Sequence, residues 1–128
     1  MKKLFILLFS LLISFNSFGE ENWVPTTATS DATFYVNSDS IKEDGEYVYW
    51  WQMRDYSNQD GNGYMSDQSY IQGDCGVFRF KYLSLILYEQ PMGKGTGETF
   101  NPPNPEWYYP VPETIEAVLL DEVCKLVE

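Results

Sequence analysis

The residues able to carry chemistry in this chain are few in kind. There is no histidine, which removes Ser-His-Asp and Cys-His nucleophile pairs and the commonest zinc ligand. The two cysteines are Cys75 and Cys124. Joined as a disulfide they are lost as nucleophiles and become a structural tie; two buried free thiols are the alternative. Nineteen acidic residues make chance carboxylate pairs easy, but a glycosidase needs two carboxyls about 5–10 Å apart in a cleft. Nothing in the spacing marks such a pair. The expectation is a non-enzyme, with no catalytic residue, no metal ligands and no cofactor.

Two glycine-rich stretches deserve the same test. Gly93, Lys94, Gly95, Thr96 and Gly97 lack the spacing of a phosphate-binding loop and no helix follows at once, so they read as a turn. Asp60, Gly61, Asn62 and Gly63 lack the alternating acids and closing glutamate of a calcium loop and read as an ordinary connection. What remains is aromatic. Tyr47, Tyr49 and Trp51 alternate along one strand face and form the candidate binding surface, since large amphipathic rings suit interfaces. Their alternative is burial as core beneath a helix.

These side chains must be positioned by one small domain. Residues 1–19 carry a basic start (Lys2, Lys3), a short apolar run and small residues before Glu20, the grammar of a cleaved export signal. The run is too short for a transmembrane helix of roughly 20 residues, so no membrane span is expected after cleavage. No cysteine stands at the cleavage point to accept lipid. Residues 20–128 then form a single domain in an exported compartment that permits a disulfide. Without Lys2 and Lys3, six basic residues face 19 acidic ones, a net charge of −13. That balance disfavours nucleic acid and anionic lipid as partners.

The closing stretch, residues 112–127, organises the rest. Ile115, Val118, Leu119, Val123 and Leu126 recur at helical spacing, with Pro112 in the first turn and Cys124 on the flank of the apolar arc. Upstream, short strands are expected at residues 33–36 and 40–42, then a hairpin turn at Glu43, Asp44 and Gly45. A long strand covers residues 46–56, with Tyr47, Tyr49, Trp51 and Met53 on one face and Val48, Trp50, Gln52 and Arg54 on the other. After a loop at residues 57–63, a second long extended stretch covers residues 69–88, kinked at Gly73 or Gly76. In it Cys75 and Arg79 share parity, so burying the cysteine calls for a bulge or a snorkelling arginine. A short strand near residues 96–100 lies in a proline-rich connection. The fold class is α+β: an antiparallel β-sheet with a C-terminal α-helix tethered to one face by a Cys75–Cys124 disulfide.

In order and spacing, several residues carry a family likeness: the export signal, Trp23, a strand with Trp51 and Tyr56, and Asp74 with Cys75. Met92, Gly93, Lys94 and Gly95 follow, then Trp107 and a proline-led helix with Glu116, Val123 and Cys124. This pattern resembles the bacterial surface-adhesin protein E-like domain. The resemblance implies an antiparallel sheet with a tethered helix and an envelope protein of a Gram-negative bacterium. For the members that give the family its name it implies adhesion to host matrix proteins. The functional expectation is an exported, non-catalytic module, periplasmic or displayed at the cell surface, that binds host or envelope proteins, with homodimerisation through the sheet as one option. The alternative is a periplasmic small-ligand or glycan-binding protein that uses an aromatic surface in the concavity between sheet and helix.

Overall fold

The computed structural model describes residues 22–127; the expected export signal lies outside the described residues. Seven strands form one antiparallel sheet: β1 (Trp23–Ala28), β2 (Ala32–Asn37), β3 (Lys42–Asp44), β4 (Tyr47–Tyr56), β5 (Ser66–Asp74), β6 (Arg79–Tyr88) and β7 (Gly97–Phe100). Among the described residues one long helix, α1 (Ile115–Leu126), follows. The order across the sheet is β1-β2-β4-β5-β6-β7, and β3 also pairs with β4. Strands β2 and β3 lie end to end along the same edge of β4, separated by a 3-10 turn at Ser38–Ser40. The gap in the ladder is filled by a side chain: the Trp51 N–H donates to Ser40 Oγ at 2.9 Å. Strand β1 forms one edge, and Pro25 with a bulge before Thr27 makes that edge a poor template for further pairing.

The alternation expected for residues 46–56 is observed, and the core takes the Val48 and Trp50 face. Val36, Val48, Trp50, Ile71 and Phe80 from the sheet meet Leu119, Leu120 and Val123 from the helix. The helix starts later than its proline suggests. Thr114 is the N-cap, its side chain accepting from the Ala117 N–H, so Pro112 stands outside the first turn. The buried arc is also rotated from the expected one: Ala117, Leu119, Leu120 and Val123 are buried, while Val118 and Leu126 are 38% and 58% exposed. The tie at Cys124 draws the helix toward the flank that carries the cysteine.

The extended stretch expected over residues 69–88 is two strands. The chain reverses after Asp74, where the carboxylate accepts the Val77 N–H at 3.2 Å and the carbonyl accepts the Phe78 N–H at 2.8 Å. Cys75 therefore lies in a turn and not in a strand. From there it reaches Cys124 with Cα atoms 5.8 Å apart, closing a loop of 49 residues. By chain entropy such a tie contributes about 4 kcal/mol. The parity conflict between Cys75 and Arg79 disappears, because they sit on opposite sides of the reversal; Arg79 pairs with Asp74 at 3.0 Å.

Gly73 is not a kink. A Cβ there would lie 2.7 Å from Trp50 Cζ3 and 3.1 Å from Leu120 Cδ1, so its bare backbone is what lets the indole lie flat on the sheet under the helix.

Candidate functional site

Strand parity and register sort the functional side chains onto two faces. On the face away from the helix, Tyr47, Tyr49 and Trp51 come together half-buried, and none of them lies under the helix. The register brings Tyr70 beside Trp51 and sets Gln72 and Lys42 on either side of Tyr49. Trp51 and Tyr70 have ring centroids 5.0 Å apart, and Tyr49 stacks on Tyr70 at 6.1 Å. Tyr47 meets Trp107 at 5.5 Å, and Arg79 and Lys81 stand over the Trp107 ring at 4.0 and 4.4 Å. Burial first, and then the charge of Asp44, raises the Tyr49 phenol above its usual range, so it stays a neutral donor.

Met53 shares this parity but is fully buried, because the glycine-rich segment folds over it. A 3-10 turn at Pro91–Gly93 is held by the Met92 N–H on Asp55 Oδ1 and the Gly93 N–H on Ser66 Oγ, each at 2.8 Å. Gly93 has φ +66°, and a Cβ there would run into the Gln68 side-chain amide and touch the Met53 sulfur. This segment is a turn, as expected. Asp60 likewise organises its own loop by accepting the N–H groups of Asn62 and Tyr64 at 2.8 and 2.9 Å.

The opposite face holds a cleft. Rows of paired residues cross the sheet here: Val36, Gln52, Ser69, Leu85 and Phe100 in one, and Phe34, Arg54, Asp67 and Leu87 in the next. The helix covers the rows built on Val48 and Trp50 together with Val36, and its first turns, with Ile115, Glu116 and Leu119, wall one side of what stays open of these two rows. The other wall follows from prolines. Strand β7 leaves the edge of β6 at Phe100, and the chain returns only at Tyr108, which bridges to Phe80. Between them, Pro102, Pro103 and Pro105 have no N–H to give to the ladder, and Asn101, Pro102 and Pro103 rim the opening. The cleft has a volume of about 740 Å³, within the range of small-molecule sites.

Its polar floor is one ion pair. Arg54 Nε and Nη2 both donate to Asp67 Oδ2, at 3.0 and 2.7 Å, and the Tyr56 hydroxyl donates to the same oxygen at 3.0 Å. Asp67 is 5% exposed and Arg54 44%. Burial opposes the Arg54 charge, but the adjacent Asp67 carboxylate outweighs it and raises the guanidinium further. Burial, then the Asp67 charge, pushes Tyr56 up to about 12. Tyr82 is raised by burial first and by Glu116 second. The sequence reading did not single out Arg54 and Asp67. The signal was an arginine at an inward position of β4; its partner was missed because β5 begins at Ser66, three residues before the expected extended stretch.

A single antiparallel sheet, closed on one face by a C-terminal helix through one disulfide and carrying half-buried rings on the other, defines the class. The chain belongs to the Surface-adhesin protein E family, whose model matches residues 23–125. Comparison with curated protein sequences finds no match. Among solved structures, crystal form II of Haemophilus influenzae protein E is similar at 16% identity, covering 84% of this chain and 98% of that one, with a TM-score of 0.58. Protein E from non-typeable Haemophilus influenzae is also 16% identical, covering 84% of each chain at a TM-score of 0.52. At that identity the likeness establishes the shared fold. Among the described residues no helix is long and apolar enough to cross a membrane.

Proposed function

We propose that this protein is an exported, non-catalytic protein-binding module of the Gram-negative cell envelope. Its recognition surface is the ring-bearing face of the sheet: Tyr47, Tyr49 and Trp51, extended by Tyr70 and Trp107. One observation carries the reading. These rings stack sideways on one another across a sheet face that the helix does not cover, so the core has no use for them. Half-buried rings held by lateral stacking are pre-ordered and lose little freedom when a partner covers them. The family supports an adhesin-like surface protein; the partner is a host or envelope protein.

The test compares the mature protein with a Tyr49→Ala, Trp51→Ala variant, each immobilised and challenged in parallel with envelope extract and purified matrix proteins. Truncating central rings of an interface costs about 2 kcal/mol or more, roughly thirtyfold in affinity. A partner held by the wild type and lost by a still-folded variant supports the reading. Equal capture by both refutes this face, and capture of nothing above background refutes the function. Sedimentation at rising protein concentration asks whether the same face pairs two copies, and the variant then stays monomeric.

A further inference from the structure

The cleft on the helix side of the sheet is separated from the ring-bearing face by the sheet itself, and its chemistry is different. A guanidinium offers five N–H donors. In Arg54 the Nε and one Nη2 proton are taken by Asp67, and no described residue accepts from Nη1. The edge formed by Nη1 and the second Nη2 proton is the one that fits a carboxylate in a two-bond fork. The group is also held still: Asp67 pins it and the Tyr56 ring lies 4.9 Å from Cζ. A half-exposed, immobilised cation thus stands at the floor of a cleft whose other walls include Phe34, Leu85, Phe100, Ile115 and Leu119.

We propose that this cleft binds a single aliphatic chain ending in one negative charge, such as a long-chain fatty acid, with the carboxylate on the Arg54 fork and the chain along those apolar walls. The limit of one charge comes from the acids of the lining. Arg54 and Asp67 are neutral as a pair, so what Arg54 offers a carboxylate is its two open N–H bonds and not an unopposed charge; Glu116 also lines the cleft, and a second anionic group would meet repulsion with no further cation in the lining to offset it. The size follows from the volume: at about 30 Å³ per water-sized group, 740 Å³ accommodates on the order of 20 non-hydrogen atoms. Each methylene withdrawn from water adds about 0.8 kcal/mol of driving force, which lets a weakly charged ligand bind despite the net acidity of the chain.

The experiment is titration calorimetry on the disulfide-intact mature protein with myristate below its micellar range, set against the uncharged tetradecanol in a competition format. Saturable myristate binding is expected, with tetradecanol weaker by about tenfold or more, as suits the loss of a charge-assisted hydrogen-bonded pair. Arg54→Lys keeps the charge beside Asp67 but not the fork, and should weaken myristate alone. Phe100→Ala, at a 47% exposed position on the edge strand, should weaken both ligands and leave folding intact. A lysophosphatidylglycerol arm separates sources: binding with the same Arg54 dependence assigns the site to single-chain anionic lipids in general, and its failure beside tight myristate binding assigns it to free acids.

No saturable binding, or equal affinity for acid and alcohol, overturns the proposal. So does a peptide with an apolar C-terminal residue that binds where myristate does not. Should Arg54→Lys fail to fold, the acid-to-alcohol ratio on the wild type decides. None of these outcomes depends on the ring-bearing face, so failure here and failure of the adhesive reading are distinguishable.

Discussion

Replacing Gly73 with alanine should test the packing at the heart of the fold. The added Cβ would stand 2.7 Å from Trp50 Cζ3 and 3.1 Å from Trp50 Cη2 and Leu120 Cδ1. Neither neighbour can swing away cheaply. Trp50 is 1% exposed with its indole N–H donating to Gln52 Oε1 at 3.0 Å, and Leu120 is held one turn from the Cys124 tie. Overpacking a full core of this kind costs about 1–3 kcal/mol. The backbone at Gly73 has no left-handed φ, so alanine is not strained there and gains about 0.5–1 kcal/mol over a mid-strand glycine. With both figures at mid-range the net is a destabilisation of about 1 kcal/mol, or roughly 4–8 °C in melting temperature for a domain of this size. Thermal and urea unfolding followed by circular dichroism measure it. The cause is checked by a cycle with Trp50→Phe, which removes the two indole carbons that clash. The double variant should be less damaged than the sum of the singles by about 1 kcal/mol. A Gly73→Ala protein as stable as the wild type, or strict additivity in the cycle, would refute the argument that this glycine exists for contact rather than for bending.

The remaining expectations concern the tie, two titrations and the helix cap. Cys124→Ser, or reduction of the wild type, should lower stability by about 4 kcal/mol; unfolding that ignores reductant contradicts the role given to the disulfide. Burial raises the Asp74 carboxyl, but the Val77 N–H and Arg79 outweigh it and hold it below its usual range. Its folded value being the lower one, its contribution is fully present above the unfolded value of about 3.9 and is lost as pH falls through the folded one. Urea midpoints between pH 5 and 2.5 should therefore fall more steeply for the wild type than for Asp74→Asn. Tyr56, pushed up to about 12, binds its proton longer folded than unfolded, so its stabilisation is lost as pH rises from about 10 toward 12. The late phase of tyrosinate absorbance should lose the amplitude of one tyrosine in Tyr56→Phe. Thr114→Ala should remove the N-cap bond to Ala117 at a cost of about 1 kcal/mol, seen as a shift in the urea midpoint without a change in slope.

Local pattern made the elements legible. Alternation along residues 47–56, turn formers at Gly45 and Asp60, and helical spacing before Cys124 are each set by a few neighbours, and each survives in the fold. The aromatic surface was readable for the same reason: parity alone puts Tyr47, Tyr49 and Trp51 on one face. Which face the helix would cover was left open, because both carry large apolar side chains, and the choice rests on Gly73 admitting Trp50 beneath Leu120.

The amino-acid sequence alone determined the alternation, the terminal helix and the absence of histidine chemistry, because these are properties of residue type and near spacing; it pointed to a Cys75–Cys124 pair, and the fold brings the two together. Only the tertiary structure decided that Cys75 sits in a reversal and not in a strand, since that turn is closed by Asp74 bonds that any extended reading overlooks. It alone brought Arg54, Asp67 and Tyr56 together under a cleft, because register across three strands and a proline detour from the sheet edge are long-range outcomes. Distance along the chain carries no information about which rows the helix leaves uncovered; packing of the whole sheet does.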